Sequence, residues 1–97
     1  MEVDDRERVA FRVTGRVQGV GYRMWARRVA IELGLRGAVR NRYDGTVEVN
    51  VEGPSASVAL MERRLSHGPR GAYVTGVERD ESDLPIPESG FDIEASS

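Results

Sequence analysis

Hydrophobic and polar residues alternate along several short segments of the chain, which is typical of strands that bury one face. The clearest segment follows the acidic N-terminal stretch and carries an apolar residue at every second position. In the last segment, Phe91 and Ile93 are predicted to face inward. The pattern predicts five strands, at residues 9–15, 37–43, 46–53, 72–80 and 91–95.

Two of the predicted strands flank Asp44-Gly45, a strong signal for a tight hairpin, because such turns need the positive φ that these residue types tolerate. In the second strand of this hairpin, three valines share one face. Polar residues occupy the other face: Glu48, Asn50 and Glu52. The valines and the polar residues of this strand are therefore expected to point to opposite faces of the sheet.

Two further segments carry apolar residues three and four positions apart, which places them on one face of an α-helix. The first is residues 22–34, where Gly34 provides a natural end. Its apolar stripe consists of Tyr22, Trp25, Ala26, Val29, Ala30 and Leu33. The second is residues 54–68, with Pro54 suited to a first helical turn and Gly68 to the end. Its stripe consists of Val58, Met61 and Leu65.

The order of these elements is β-α-β-β-α-β, with a further edge strand. It predicts an α+β fold of the ferredoxin-like class, in which two helices cover one face of an antiparallel sheet. Right-handed crossovers would place the first and third strands side by side at the centre. At 97 residues the chain is expected to form a single domain, residues 1–97, with its core at about 9–94. Many unrelated functions use this fold, so the fold alone decides nothing about activity.

The composition excludes several classes of active site. The chain has no cysteine, which excludes disulfides, thiolate nucleophiles and thiolate metal sites. All 14 basic residues are arginine, so neither a Schiff-base lysine nor the lysine of a Walker phosphate loop is available. Because His67 is the single histidine, a histidine metal site or a Ser-His-Asp triad is poorly supplied.

Charge and hydropathy bear on partners and location. The net charge of −2 argues against a nucleic-acid binder, which needs a basic face to neutralise phosphates. No apolar run approaches 20 residues, and residues 1–10 are acidic and polar, unlike a signal peptide. We therefore expect a cytoplasmic monomer with no membrane or nucleic-acid partner.

The stretch GRVQGVGYR, residues 15–23, joins the first strand to the first helix. A helix start presents unpaired amides and the positive end of the helix dipole, and glycines let successive amides turn toward an anion. Arg23 would lie in the first helical turn, where a guanidinium can form two parallel bonds with a phosphate. The alternative is a tight strand-to-helix turn without a ligand. The Walker motif and the dinucleotide motif G-x-G-x-x-G both fail to fit.

Asn41 is the second candidate. Alternation places it with Val39, on the face of the sheet that the helices cover and near the end of a strand. An amide in that position needs a hydrogen-bond partner. It could approach the glycine loop if the first two strands splay around the helix start. The alternative is an asparagine that bonds the backbone of the adjacent turn.

Four stretches, GRVQGVGYR, GLRGAVRNRYDGTVEV, GPRGAYVTGV and FDI, together resemble the acylphosphatases. The resemblance extends from about Val9 to Glu94, in the order and spacing of that family. It implies hydrolysis of the carboxyl–phosphate bond of acyl phosphates to a carboxylate and inorganic phosphate, with no metal and no cofactor.

Carried onto matching positions, the resemblance makes Arg23 the phosphate-binding side chain and Asn41 the residue that holds the attacking water. It assigns the rest of the phosphate cradle to backbone amides, so that the phosphate-binding residues are Gln18, Gly19, Val20, Gly21, Tyr22 and Arg23. The alternative function is a catalytically silent module that binds phosphate or carbamoyl phosphate. An RNA-binding module of the same fold would need exposed stacking aromatics, which this acidic sequence poorly supplies.

Overall fold

A computed structural model describes residues 5–97 of the chain; residues 1–4 of the predicted single domain lie outside the described part. Five strands and two helices follow one another in the predicted order, with ends that differ from the prediction by up to three residues. They are β1 (Arg6–Arg16), α1 (Tyr22–Glu32), β2 (Arg36–Asn41), β3 (Val47–Pro54), α2 (Ser55–His67), β4 (Tyr73–Asp80) and β5 (Phe91–Ile93).

The strands form one sheet in the order β4-β1-β3-β2-β5. As predicted, β1 and β3 lie side by side at the centre, and the ferredoxin-like α+β class is confirmed. The prediction of an entirely antiparallel sheet is wrong at one edge, because β5 runs parallel to β2. The cause is topological. Strand β4 ends at the same end of the sheet at which β2 begins, and the chain then crosses to the far edge and enters β5 from that end.

The core lies between the sheet and the two helices. The valines that share one face of β3, Val47, Val49 and Val51, are fully buried, together with Phe11. Burial of each such side chain contributes about 1.5–3 kcal/mol. The apolar stripes of the two helices pack against these side chains, mainly through Ala26, Val29, Ala30, Val58, Met61 and Leu65.

The opposite face of the sheet is partly covered as well. Glu48 and Asn50 do point away from the helices, but their residues are only 6% and 2% exposed. The segment that follows β4 crosses over them, with Leu84 buried and its carbonyl oxygen accepting a 2.8 Å hydrogen bond from Asn50 Nδ2. The central strand β3 is therefore buried on both faces.

Glu48 is held in a dense polar cluster on that covered face. Its Oε1 accepts hydrogen bonds from Arg40 Nε at 2.8 Å and Arg42 Nη1 at 3.0 Å, and the Ser82 hydroxyl donates to Oε2. Burial opposes ionisation of the carboxyl, but these three donors together outweigh it and hold the pKa of Glu48 below its usual value. Glu48 is thus a charged residue that fastens the crossing segment to the sheet.

Neither of the helices in the described part of the chain is long and apolar enough to cross a bilayer. The expected cytoplasmic location stays a prediction.

Candidate active site

The loop between β1 and α1 has a backbone that alternates in handedness. Gly19 has φ 77° and Gly21 has φ 78°, whereas every non-glycine residue described, including the intervening Val20, has negative φ. Alternation of this kind turns successive N–H groups toward one concave side and forms an anion-binding nest. A Cβ at Gly19 or Gly21 would meet no atom within 4 Å, so glycine is required there for its φ and not for space.

The amides of this loop lie outside the regular hydrogen-bond ladders of β1 and α1. No carbonyl oxygen in residues 5–97 accepts a backbone hydrogen bond of standard geometry from the amides of residues 18–22. Helix α1 begins at Tyr22 without a capping side chain and without an acidic residue in its first turn. The positive end of the helix dipole and the loop amides therefore both remain available to an anion.

Arg23 lies in the first turn of α1 and is partly buried. Within residues 5–97 it forms no ion pair, in contrast to Arg12, Arg36 and Arg40, which each contact a carboxylate. A partly buried guanidinium without a carboxylate partner, beside a helix start, is suited to a ligand that carries negative charge.

Asn41 is the last residue of β2 and pairs with Val47 of β3. Its Oδ1 is buried and is the one such side-chain oxygen or nitrogen in the described part of the chain that lacks a hydrogen-bond partner. The turn that follows is instead held by Asp44, whose Oδ1 accepts from Thr46 N at 3.0 Å and from Thr46 Oγ1 at 2.6 Å. The alternative reading of Asn41, as a residue whose carbonyl bonds the turn backbone, is therefore not observed.

A cleft brings these groups together. It has a volume of about 180 Å³, several times the ~30 Å³ share of one water molecule in the liquid, so a small anion and a water fit side by side. Arg23 and Asn41 both line it, although they come from different elements 18 positions apart in the sequence. The complete lining is Val17, Gly19, Gly21, Tyr22, Arg23, Met24, Asn41 and Ile93.

A second depression on the opposite face of the sheet does not suit an anion. Its two arginines are already paired: Arg12 with Glu78 at 3.0 Å, and Arg42 with Glu48 at 3.0 Å. Carboxylates outnumber the arginines along its wall, which consists of Ala10, Phe11, Arg12, Arg42, Asp44, Glu48, Asp80 and Glu81. The cleft at the glycine loop is therefore the candidate active site.

Both the sequence and the fold match known proteins. A family model of acylphosphatases matches residues 9–93. The acylphosphatase of Rhizobium etli is 47% identical over 90 residues, which cover 93% of this chain and 96% of that protein. The acylphosphatase of Mesorhizobium japonicum is 48% identical over 94 residues, which cover 96% of this chain and 100% of that protein. The chain belongs to the acylphosphatase family.

A solved acylphosphatase structure, that of the Bacillus subtilis protein, has a TM-score of 0.81 to this chain at 33% identity, over 90% of this chain and 97% of that one. Acylphosphatases are hydrolases, so the predictions of family and enzyme class are both confirmed. The family implies a small-molecule acyl phosphate as substrate.

Three residues of the predicted phosphate-binding stretch have side chains that are engaged elsewhere in the fold. Gln18 Nε2 donates to the carbonyl oxygens of Arg42 at 2.7 Å and Thr46 at 2.8 Å, so this side chain ties the loop to the β2–β3 hairpin. Val20 packs against the core. The Tyr22 hydroxyl donates to Leu65 O at 2.6 Å, and burial raises its pKa. Only the backbone of these residues is available to a ligand.

Part of the cleft wall was not predicted from the sequence. Met24 lines it beside Arg23, and Ile93 lines it from β5. Ile93 shares the face of β5 that carries the buried Phe91, as predicted, but it remains 37% exposed at the edge of the sheet. The available signal was that Met24 falls outside the apolar stripe of α1. An apolar residue on the polar side of a helix next to a binding loop is a candidate ligand contact.

Proposed function

We propose that this protein hydrolyses acyl phosphates to a carboxylate and inorganic phosphate, through direct attack of a water held by Asn41 on a phosphoryl group bound by Arg23 and the loop amides. The observation that carries the proposal is a buried amide oxygen, Asn41 Oδ1, without a hydrogen-bond partner in residues 5–97, on a residue that lines the same cleft as Arg23 and the glycine loop.

Phosphate binding is assigned to the backbone amides of residues 18–22 and to the Arg23 guanidinium. A phosphoryl dianion has three equatorial oxygens, on which charge is spread in the transition state. The nest can supply several donors, and the Arg23 guanidinium can add a planar pair. Each preorganised donor of this kind is typically worth roughly 2–4 kcal/mol of transition-state stabilisation.

Asn41 is proposed to position the nucleophile. Its Oδ1 can accept a hydrogen bond from a water and thereby direct the water's lone pair toward phosphorus. Holding the water in line with the scissile bond removes orientational freedom that would otherwise be lost at the barrier. The bond from the water oxygen to phosphorus forms as the bond from phosphorus to the acyl oxygen breaks, and a phosphoryl oxygen takes the proton of the water.

The leaving group accounts for the lack of an acid in the cleft. The electron pair of the broken bond goes to a carboxylate, whose conjugate acid has a pKa near ~4, so the leaving oxygen needs no proton at neutral pH. Accordingly, the described lining of the cleft contains no histidine and no carboxylic acid. A phosphomonoester would expel a far more basic alkoxide, and the cleft is not suited to that reaction. The proposed site needs no residue from a second chain, and we propose that the enzyme is a monomer.

Turnover of a simple aryl acyl phosphate in the presence of a chelator tests the proposal. We expect the wild type to be active, and Arg23→Ala and Arg23→Lys each to lose at least roughly 100-fold in kcat/KM, since an ammonium cannot form the two-pronged contact. Arg28→Ala is the matched control, because Arg28 is exposed on the same helix and does not line the cleft.

Turnover that survives Arg23→Ala, or that disappears with the chelator, would contradict the proposed mechanism. Binding of inorganic phosphate without any turnover would leave a silent phosphate-binding module.

A further inference from the structure

We propose that the outer wall of the cleft selects acyl phosphates whose acyl group is apolar and uncharged, such as an aryl or alkyl group, and that Met24 and Ile93 form the surface that contacts it. This inference rests on the proposed function, because it assigns the part of the cleft that the phosphate does not occupy.

Both of these apolar side chains are exposed to solvent. The Met24 residue is 60% exposed and Ile93 is 37% exposed. They come from α1 and β5, yet both line the cleft that contains Arg23 and Asn41. Single exposed apolar residues are ordinary on protein surfaces, but two from separate elements that converge on one polar cleft mark a ligand surface.

Helix α1 carries a second exposed apolar residue, which does not line the cleft. Ile31 is also an exposed apolar residue of this helix, at 49%, but it lies more than a turn from the loop and does not line the cleft. Ile31 therefore represents the ordinary exposed hydrophobic residue, and Met24 represents one placed beside the phosphate-binding groups. The pair provides a matched control for substitution.

Charge in the cleft points to the same class of substrate. Arg23 is the one charged side chain among the residues of the described chain that line the cleft, and the phosphoryl group is proposed to occupy it. A negative charge on the acyl group would lose hydration in the cleft, and no second cationic side chain there would compensate for that loss. A polar acyl group, such as carbamoyl, would likewise face Met24 and Ile93 without hydrogen-bond partners. An apolar acyl group instead buries its surface against both side chains.

The test compares kcat/KM for benzoyl phosphate with that for acetyl phosphate, two substrates that share the phosphoryl group and that both release a weakly basic carboxylate. We expect the benzoyl-to-acetyl ratio to exceed 1 in the wild type and to fall by roughly threefold to tenfold in Met24→Gln and in Ile93→Thr, as apolar contact is lost. Gln keeps the helix propensity of Met24, and Thr keeps the β-branching of Ile93. Ile31→Gln is expected to leave the ratio unchanged.

A substrate variant tests the charge argument independently. A benzoyl phosphate that carries a para-carboxylate is expected to have a kcat/KM at least roughly tenfold below that of benzoyl phosphate. An unchanged benzoyl-to-acetyl ratio in both cleft variants, an equal fall in Ile31→Gln, or equal use of the carboxylated substrate would overturn the inference. Each of these results needs a wild type that hydrolyses acetyl phosphate. If the wild type hydrolyses neither substrate, the proposed function itself fails.

Discussion

Gln18 is the residue that joins the two halves of the cleft. Its amide nitrogen donates to the carbonyl oxygens of Arg42 and Thr46, at the point where β2 leaves Asn41 and turns into β3. Its own backbone belongs to the loop that carries the free amides. One side chain therefore fixes the position of the proposed phosphate nest relative to the proposed water-holding residue.

Replacing Gln18 with methionine keeps the length of the side chain and removes both hydrogen bonds. We expect Gln18→Met to lower the free energy of unfolding by about 1–3 kcal/mol, because two partly buried hydrogen bonds are lost. We also expect kcat to fall by roughly tenfold at a temperature where the variant is fully folded, since small displacements of positioned groups are costly.

The measurement for this variant is urea unfolding combined with steady-state kinetics at 25 °C. If Gln18 has a purely structural role, the variant will be less stable, but kcat and KM of the folded variant will keep their wild-type values. That result would show that Gln18 does not position the groups of the cleft.

At the scale of elements, alternation along the strands predicted the buried faces well, because a strand's side chains must alternate whatever packs above them. Val47, Val49 and Val51 share one face as expected, and all are buried. The alternation could not reveal that the segment after β4 would cross the opposite face and bury Glu48 and Asn50. That segment has no periodicity of its own, and its path depends on contacts with residues about 35 positions away.

The cluster around Glu48 is expected to make the free energy of unfolding depend on pH. The pKa of Glu48 is lowered in the folded protein from a reference value of 4.5. A carboxyl with a lowered folded pKa adds stability above its unfolded pKa, and this contribution is lost as the pH falls through the folded value. We therefore expect the free energy of unfolding to decline below about pH 4.5, and to decline less steeply in Glu48→Gln.

Urea unfolding between pH 7 and pH 3 measures this dependence. Glu88→Gln, a substitution at an exposed position of the same crossing segment, is the control and should follow the wild-type curve. Parallel curves for the wild type and Glu48→Gln would show that the Glu48 cluster does not contribute to the acid sensitivity of the fold.

At the scale of the whole molecule, the sequence carried the element order, the family and the two candidate residues of the cleft. Periodicity, however, describes one element at a time, so it could not say whether Asn41 of β2 approaches the loop after β1. That proximity depends on the sheet order, in which β3 separates the two strands, and on the side chain of Gln18. The exposure of Ile93 was not predictable for the same reason, because an edge strand buries only what its neighbours cover.

The central claim is that the cleft divides the reaction between two parts of the fold: the loop and Arg23 bind the phosphoryl group, and Asn41 holds the water. Steady-state kinetics of Asn41→Ala with an acyl phosphate, together with the inhibition constant for inorganic phosphate, test it most directly. We predict that kcat falls by roughly 100-fold or more while the inhibition constant changes by less than about threefold. A folded Asn41→Ala variant that has lost phosphate binding, or that keeps the wild-type kcat, would contradict the account.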